Sequence, residues 1–376
     1  MVLTASSYPQ LLLAEDELVL YVDSMQDNQA PRIERLNDAQ PIVHRIESNP
    51  WENKVTFNPA CFLVTDRLEL NSIIEQLPFG QSTKTILLNQ PALCFLLYRA
   101  QGAKTPTYDF TRSSIGLAVL DPYLHLLARH NKPVIVPDAP FDNLGVEDAR
   151  ISKVGDKYVM FYTAYSTGTP ENVIRIALAS TTDFVHWTKH GLLKGELNTI
   201  HNKNAMMFED RMRGKYIMLH RPMQGPDAMS IHWAESDDPF GNWVSKGVLM
   251  RPVPYPEFID TWIGGGAPPM KLEDGRYLIL YHLGHRRADT SRRYELGIAV
   301  ADFSSAEVIV KRTEPLFLPE TPAETNGDAD LGVNNVLFLC GAYFYKGDVY
   351  FPYAGADSVV LGGKISASAL KDYLST

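Results

Sequence analysis

The stretch Lys157–Tyr165 reads KYVMFYTAY, and it decides the fold because the same phrase returns four more times along the chain. Each copy is a turn residue followed by an apolar, β-branched and aromatic run that ends near a Tyr or His, which is typical of a strand. The other copies are Cys94–Ala100, Lys215–Pro222, Arg276–Gly284 and Asp348–Gly355. Gly-Asp, Arg-Gly or Asp-Gly precedes several copies, and such dipeptides indicate hairpins.

A second strand-like phrase, rich in small residues and often ending in an acidic turn, follows each copy of the first. Its copies are Ile115–Asp121, Ile176–Phe184, Ile231–Phe240, Leu296–Phe303 and Val359–Ser366. The period of about 60 to 70 residues holds about four strands with their turns. Radially repeated four-stranded units are propeller blades, so the pattern predicts an all-β, five-bladed β-propeller. The competing interpretation is a mixed α/β enzyme, but Rossmann and P-loop phrases and long amphipathic helices are absent from the sequence.

Few segments have the apolar period of a helix. One is Ser72–Leu77, and the other is Ser366–Leu374, which predicts a short C-terminal helix. The segment 62–92 is an insert of roughly 30 residues that the other repeats lack, and we interpret it as an elaborated loop or hairpin. We expect residues 1–376 to form a single propeller domain.

Composition bounds the function. The 376 residues are 45% hydrophobic and 21% charged, with a formal net charge of −9. The sequence has no basic stripe of the kind that binds nucleic acid, and none of its apolar runs reaches the roughly 20 residues of a membrane helix. Cys61, Cys94 and Cys340 form no metal-binding spacing, and no signal peptide is recognisable at the start. We therefore predict a cytoplasmic protein without nucleic-acid or membrane partners, and a homo-oligomer stays open.

Polar residues at one rim of a propeller converge on its central channel, which makes the ends of the first phrases candidates for chemistry. On an extended strand Glu147 and Asp148 point in opposite directions, so only one of them is expected to face the channel. Further candidates are Arg99, Asn202–Asn204, His220–Arg221, Tyr281–His282, Tyr294 and Asp357.

The glycine-rich stretch Trp262–Pro269 lacks the features of a nucleotide-binding loop, and it predicts a place where the backbone lies close to another group. Each of these motifs taken alone also fits a solvated loop or a structural turn.

Taken together, the motifs describe a channel with one acid, several cations, and several amides and tyrosines. Glycosidases generally need two carboxylates, one as acid and one as base or nucleophile. If phosphate is the nucleophile, the second carboxylate is unnecessary, and the cations bind and orient the anion.

The ordered phrases from about residue 50 to the end resemble glycoside hydrolase family 130, which contains β-mannoside phosphorylases and some β-1,2-mannosidases. The phrases are Phe57–Ala60, Leu97–Ala100, Gly145–Arg150, Asn202–Asn204, His220–Pro222, Gly265–Pro269, Tyr281–His282, Tyr294–Gly297 and Tyr353–Asp357. The resemblance implies a five-bladed propeller and an inverting reaction that releases α-mannose 1-phosphate.

The resemblance also implies roles for single residues. Asp148 is the general acid, acting through the mannose 3-hydroxyl. Lys203, Arg221, His282 and Tyr294 bind phosphate, which is a co-substrate, and no cofactor or metal is implied. Asn58, Arg99 and Asp357 bind the mannose that is transferred.

Two features depart from the family pattern. Ala149 stands where the acid motif commonly has Pro, which removes a φ restraint but no chemical group. The 62–92 insert is unusual and could shape the acceptor side or an oligomer contact. The basic residues are retained, whereas the hydrolases of the family resemble each other in lacking them, which favours a phosphorylase.

The alternatives are a β-mannosidase of the same fold and a non-catalytic propeller that binds sugar or protein. Five-bladed arabinanases need three carboxylates, and the phrases here do not match theirs. The acceptor sugar and a β-1,2, β-1,3 or β-1,4 linkage all stay open.

Overall fold

The computed structural model describes residues 22–24, 31–106, 111–304 and 308–375 of the chain. Its strands form five mainly antiparallel sheets, and each sheet corresponds to one repeat of the sequence. The five sheets are arranged as the blades of a propeller, so the predicted fold class is confirmed.

The strands occur in chain order within the blades. Two short strands precede the first blade, β1 (Val22–Ser24) and β2 (Ile33–Arg35). Blade one contains β3 (Val55–Val64), β4 (Leu93–Gln101), β5 (Ser114–Leu120) and β6 (Leu126–Arg129). Blade two contains β7 (Gly145–Val154), β8 (Lys157–Ser166), β9 (Val173–Thr181) and β10 (Thr188–Leu192). Blade three contains β11 (Lys194–Gly195), β12 (Asn202–Met207), β13 (Tyr216–Pro222), β14 (Ile231–Ser236) and β15 (Asn242–Met250).

The last two blades have extra short strands. Blade four contains β16 (Asp260–Gly265), β17 (Met270–Lys271), β18 (Tyr277–Arg286), β19 (Arg292–Asp302) and β20 (Ile309–Phe317). Blade five contains β21 (Leu337–Phe338), β22 (Tyr343–Tyr345), β23 (Asp348–Gly355) and β24 (Val359–Ile365). The two repeated phrases of the sequence are therefore the second and third main strands of each blade.

The second strand of each blade is apolar on both faces because each blade packs between two neighbours. On β8, Tyr158 and Met160 pack toward blade one, whereas Val159 and Phe161 pack toward blade three. The other blade interfaces have their own apolar clusters. Burial of both faces explains why these phrases are nearly continuous apolar runs without the polar alternation of a half-exposed strand.

The ring is closed by the N-terminal part of the chain. Strand β2 pairs antiparallel with β24, with Ile33 opposite Ile365, and so becomes the outer strand of blade five. Strand β1 adds in parallel to the outer edge of β20 in blade four. Chain segments distant in sequence thus complete the last blades.

Four helices decorate the described part of the chain. They are α1 (Arg67–Gln76), α2 (Gln81–Leu88), α3 (Pro322–Thr325) and α4 (Ala367–Leu374). Helix α4 confirms the predicted C-terminal helix, and the side chain of Ser366 caps its first turn. None of the described helices is both long and apolar enough to cross a lipid bilayer.

The 62–92 insert contains α1 and α2, so its interpretation as an elaborated loop or hairpin is wrong. The side chain of Asp66 caps α1 by accepting from the Glu69 N–H at 2.9 Å. The insert leaves β3 after Val64 and returns at Leu93, its partner in the pairing of β3 with β4. That end of the blade lies about six residues, or about 20 Å, from Asn58. The insert therefore begins at the end of β3 that lies away from Asn58.

Candidate active site

The first strands of blades one, two and three each contain a β-bulge with a polar residue in the left-handed conformation. These residues are Asn58, Asp148 and Asn204, with φ of 44°, 50° and 57°. Pairing with the second strand shifts register at each of them. Non-glycine residues seldom adopt positive φ, and bulges redirect side chains beside active sites. The repeat thus presents three amide or carboxyl groups from equivalent positions of three blades.

Asp148 is surrounded by side-chain hydrogen-bond donors. It is 2% exposed, and its Oδ1 accepts from Asn58 Nδ2 at 2.7 Å and from Arg99 Nη1 at 3.1 Å. Nη2 of the same arginine donates to Glu147 Oε1 at 2.7 Å. The expectation that only one of the two adjacent acids faces the channel is wrong, because the bulge breaks the two-residue alternation of the strand.

Opposing effects set the charge of Asp148. Burial by itself raises the pKa of this carboxyl, but the charges of Arg99, Lys203 and Arg150 and the hydrogen bond from Asn58 outweigh it. The pKa of Asp148 falls to about 2. The group is therefore a carboxylate at neutral pH in the unliganded site.

A third carboxyl, Asp357, approaches the same place from the turn after β23. Burial raises the pKa of Asp357 to about 7, with Arg99 opposing the rise and the negative charge of Asp148 adding to it. The site therefore holds three interacting carboxyl groups, Glu147, Asp148 and Asp357, rather than the lone acid expected from the sequence.

Two cationic side chains lie next to this cluster of carboxyl groups, and neither forms an ion pair with a described carboxylate. Arg221 on β13 is 3% exposed, and burial lowers its pKa to about 10. Lys203, paired with Arg221 across β12 and β13, has its pKa lowered by burial and by that neighbouring guanidinium. Neither side chain forms an ion pair within the part of the chain that the structure describes. Buried cations normally have a partner, so this pair is suited to bind an anion.

His282 on β18 completes the cationic side as a neutral imidazole. Its Nε2 lies 3.3 Å from Asn204 Nδ2 and 3.3 Å from Arg221 Nη1. Both neighbours are donors, so Nε2 accepts and Nδ1 carries the hydrogen. Burial first, and then the charges of Arg221, Arg150 and Lys203, hold the pKa of His282 well below its usual value. The ring can donate from Nδ1 to a bound anion.

Tyr294 on β19 borders the imidazole. Its ring centroid lies 6.1 Å from that of His282 and 5.4 Å from that of Trp262. Burial raises the pKa of its hydroxyl, against the nearby charge of Arg221. Tyr294 therefore stays a neutral hydrogen-bonding group in the pH range of an enzyme.

The glycine-rich stretch leaves no room for side chains beside these groups. A Cβ atom on Gly264 would lie 2.3 Å from Asn204 Nδ2 and 2.5 Å from His282 Nε2. A Cβ atom on Gly265 would lie 2.3 Å from the terminal methyl carbon of Met206. The prediction that this backbone lies close to another group is confirmed, and the group is the cationic side of the site.

All eight residues singled out from the sequence come together in one place. Asn58, Arg99, Asp148 and Asp357 form one side, and Lys203, Arg221, His282 and Tyr294 form the other. Several buried polar atoms here have no partner among the described residues, namely Asn58 Oδ1, Asn204 Oδ1, Arg221 Nε and His282 Nδ1. Buried polar groups are nearly always hydrogen-bonded, so a polar ligand is expected to bind between the two sides.

Asn204, Glu147 and Arg150 also belong to this site; they lay within candidate motifs of the sequence, but no individual role was assigned to them. A usable signal was present, because Asn58, Asp148 and Asn204 each precede a Pro or Ala that leads into an apolar strand. The bulge at that position becomes visible only when the strand pairing is known.

The chemistry of these side chains suits an anion. In the ranges described, no group of three or more His, Cys, Asp or Glu side chains could hold a metal ion. The two cations, which form no ion pair with a described residue, are instead side chains of the kind that bind phosphate.

Comparison with known proteins gives a consistent result. A family model described as "beta-1,4-mannooligosaccharide phosphorylase", of glycoside hydrolase family 130, matches residues 92–375. A β-1,2-mannobiose phosphorylase of Thermoanaerobacter sp. is 32% identical over 336 residues, covering 88% of this chain and 96% of the relative. A 1,2-β-oligomannan phosphorylase of the same organism is 29% identical over 335 residues, covering 88% and 95%.

Solved structures agree on the fold. The β-1,2-mannobiose phosphorylase of Listeria innocua superposes with a TM-score of 0.69 at 22% identity, over 92% of this chain and 99% of the other. A mannose phosphorylase of Leishmania mexicana superposes with a TM-score of 0.55 at 12% identity, over 90% and 91%. With most of its length matched by the family model and by a relative that is 32% identical, the chain belongs to glycoside hydrolase family 130.

Proposed function

We propose that this chain is an inverting β-mannoside phosphorylase. It transfers mannose from a β-mannosyl disaccharide or oligosaccharide to inorganic phosphate and releases α-mannose 1-phosphate. The observation that carries the proposal is the pair of cations formed by the half-buried Lys203 and the buried Arg221, which interact with the carboxyl cluster but form no ion pair with any described residue. A phosphate dianion would supply that partner.

The two sides of the site have separate tasks in this mechanism. Asn58, Arg99 and Asp357 bind the mannose to be transferred, and Asp148 supplies the proton for the leaving oxygen through the mannose 3-hydroxyl. Lys203, Arg221, His282 Nδ1–H and Tyr294 bind phosphate on the opposite face of the sugar. A phosphate oxygen forms the new bond to the anomeric carbon while the glycosidic bond breaks, and the acceptor sugar leaves as an alcohol.

Asp148 has to be protonated to act as an acid, although its environment in the free site favours the carboxylate. Lys203 is one of the charges that lower the pKa of Asp148. Phosphate bound to Lys203 offsets that charge, and the mannose hydroxyls compete for Arg99. Both effects favour proton uptake by Asp148 when the substrates are in place.

The relatives suggest the linkage to test first. Two of them are named for β-1,2-linked mannobiose or oligomannan, whereas the family model carries a β-1,4 description. The relatives cover more of this chain, so we propose a β-1,2-mannoside as the substrate.

The deciding experiment is an assay of β-1,2- and β-1,4-mannobiose with and without phosphate. We expect α-mannose 1-phosphate, detected by phosphorus NMR, only when phosphate is present, and faster turnover of the β-1,2 disaccharide. Free mannose formed in phosphate-free buffer would instead identify a mannosidase. No turnover of any mannoside would favour a binding propeller.

Two variants assign the roles. Asp148→Asn should lower turnover by about 10²- to 10⁴-fold, the contribution of a general acid. Arg221→Ala should chiefly raise the KM for phosphate. Lys215→Ala is the matched control, because Lys215 lies just before the strand of Arg221 but pairs with Asp237 at the exposed opposite end. Equal effects of the Arg221 and Lys215 variants would contradict the phosphate assignment.

We also infer a cytoplasmic location from the sequence. All three cysteines are unpaired and buried, which suits a reducing compartment. Cell fractionation followed by immunodetection tests the location, and recovery from culture medium or envelope fractions would contradict it.

A further inference from the structure

Arg150 is a buried cation with an unusual set of partners. It is 1% exposed, and among the described residues its guanidinium donates only to backbone carbonyl oxygens. Nη1 donates to Asp148 O at 2.8 Å, Nε to Gly266 O at 2.9 Å, and Nη2 to Gly265 O at 2.9 Å. It forms no ion pair with any carboxylate in the described ranges. Burial of a charge against carbonyl groups alone is costly, which points to a task other than stability.

The first of these hydrogen bonds acts on the strained residue of the site. Asp148 has a φ of 50°, a conformation that costs about 1 kcal/mol or more for a residue other than glycine. Its carbonyl group is held by the side chain two residues further along the same bulge. This bond fixes the peptide plane after Asp148 and hence the direction in which the carboxyl group points.

The other two hydrogen bonds cross from blade two to blade four. Gly265 pairs with Tyr281, and the adjacent Gly264 pairs with His282. The backbone that Arg150 holds, at Gly265 and Gly266, therefore directly follows Gly264, which packs against the imidazole of His282. One guanidinium thus connects the strand of the carboxyl group to the strand behind the cationic side.

We propose that Arg150 is a positioning residue that fixes the separation of Asp148 from His282, so that proton donor and bound phosphate stay aligned on opposite faces of the anomeric carbon. The inference rests on the proposed phosphorylase function. The three donor nitrogens of the Arg150 guanidinium form a planar fork that no other side chain reproduces. Lysine at this position keeps the charge but loses the fork.

The test compares Arg150→Lys, Arg150→Met and the control Arg312→Lys. Arg312 is a buried arginine of blade four that also donates to a backbone carbonyl, that of Arg251. Turnover of β-1,2-mannobiose with phosphate is normalised to the stoichiometry of phosphate binding measured by calorimetry. Misplacement of reacting groups by about 1 Å can cost about 10²-fold. We therefore expect both Arg150 variants to lose at least about thirtyfold in kcat with less than about threefold change in either KM.

A merely structural role predicts a different result. The melting temperature would then fall in all three variants, while kcat per binding-competent molecule stayed near the wild-type value, and that outcome overturns the proposal. If Arg150→Met does not fold, Arg150→Lys alone decides. The wild type is assayed for phosphorolysis and hydrolysis in parallel. A wild type that only hydrolyses refutes the proposed function, and the kcat of the variants for that reaction still decides the role of Arg150.

Discussion

Asp148 and Asp357 show how the pKa values of two acids in one site can shift in opposite directions. Burial raises the pKa of Asp148, but the charges of Arg99, Lys203 and Arg150 and the hydrogen bond from Asn58 outweigh it and lower this pKa to about 2. Asp357 has no hydrogen bond or ion pair within the described ranges, and burial raises its pKa to about 7. Environments that separate the pKa values of neighbouring acids are typical of catalytic sites.

The raised pKa of Asp357 predicts a specific pH dependence of stability. Its ordinary value is 3.8, so the unfolded chain releases this proton at lower pH than the folded protein does. The stabilisation by protonated Asp357 is complete below about pH 4 and is lost as pH rises toward about 7. The free energy of unfolding of the wild type, minus that of Asp357→Asn, should therefore decrease between pH 4.5 and 7 and level off above.

Urea unfolding in phosphate-free buffer measures this difference. Asp372→Asn, which removes a carboxyl group on the exposed face of α4, is measured in parallel as the control for a surface substitution. A difference between the wild type and Asp357→Asn that does not change with pH would contradict the prediction.

At the residue scale, the sequence predicted which residues form the site better than it predicted how they are arranged. All eight chosen residues lie in the site, because blade repetition makes the ends of the first phrases converge. The prediction that Glu147 and Asp148 point in opposite directions was wrong, because side chains alternate between the two faces of a strand only where the strand pairing is regular. The bonds of Arg150 to Gly265 and Gly266 join residues more than a hundred positions apart, which no local pattern indicates.

Among the elements, β16 is notable because its glycines leave no side chains between its backbone and the site. Its Gly264 backbone lies directly against Asn204 and His282, so the strand serves as a wall for the cationic side. The sequence indicated close approach at this stretch, but only the register of β16 with β18 identified the neighbours. The helices of the insert were missed for another reason, because helical periodicity was visible only over Ser72–Leu77, a small part of the two-helix segment.

Gly264→Ala tests the role of this wall. The added methyl group would have to displace the Asn204 amide and the ring of His282, which we propose binds phosphate. We expect kcat/KM for phosphorolysis to fall by about 10²-fold, with a loss of about 1 to 3 kcal/mol in unfolding free energy from overpacking. Steady-state kinetics with varied phosphate and urea unfolding measure the two effects.

Gly80→Ala provides the comparison, because a Cβ atom there meets nothing within 4 Å. That variant should match the wild type in both measurements. An active Gly264→Ala enzyme would show that the site tolerates displacement of the imidazole.

For the whole molecule, the central question is how the ring stays closed. The interfaces between consecutive blades are apolar, but blade five depends on β2, a three-residue strand that precedes all the other blades in sequence. Repeat counting predicted five blades without predicting this closure, because a short strand carries little sequence signal and its partner lies at the other end of the chain. A second contact of β2, through Arg35, strengthens this seam.

Arg35 reaches from β2 to the buried carboxylate of Glu324. Its Nε and Nη2 donate to the two carboxylate oxygens at 2.8 and 3.0 Å, and Tyr353 from β23 donates to one of them at 2.8 Å. The side chain of Glu324 is fully buried. Removal of one partner of a buried ion pair costs about 3 to 5 kcal/mol, because the other charge stays in the interior.

We expect Arg35→Met to lower the free energy of unfolding by about 2 to 4 kcal/mol, near the lower end of that range, since Tyr353 and two backbone N–H groups still serve the carboxylate. The control is Lys364→Met, which breaks the cross-strand pair of Lys364 with the half-exposed Glu34 on the same β2–β24 seam. Exposed pairs contribute about 0 to 1 kcal/mol, so its effect should be several times smaller. Urea unfolding of Arg35→Met, of Glu324→Gln and of the double variant gives the coupling energy of the pair, and Lys364→Met is unfolded in the same way. If Arg35→Met and Lys364→Met lose the same small amount, the seam is held by the strand pairing and its apolar contacts alone, and the buried ion pair has no part in closing the ring.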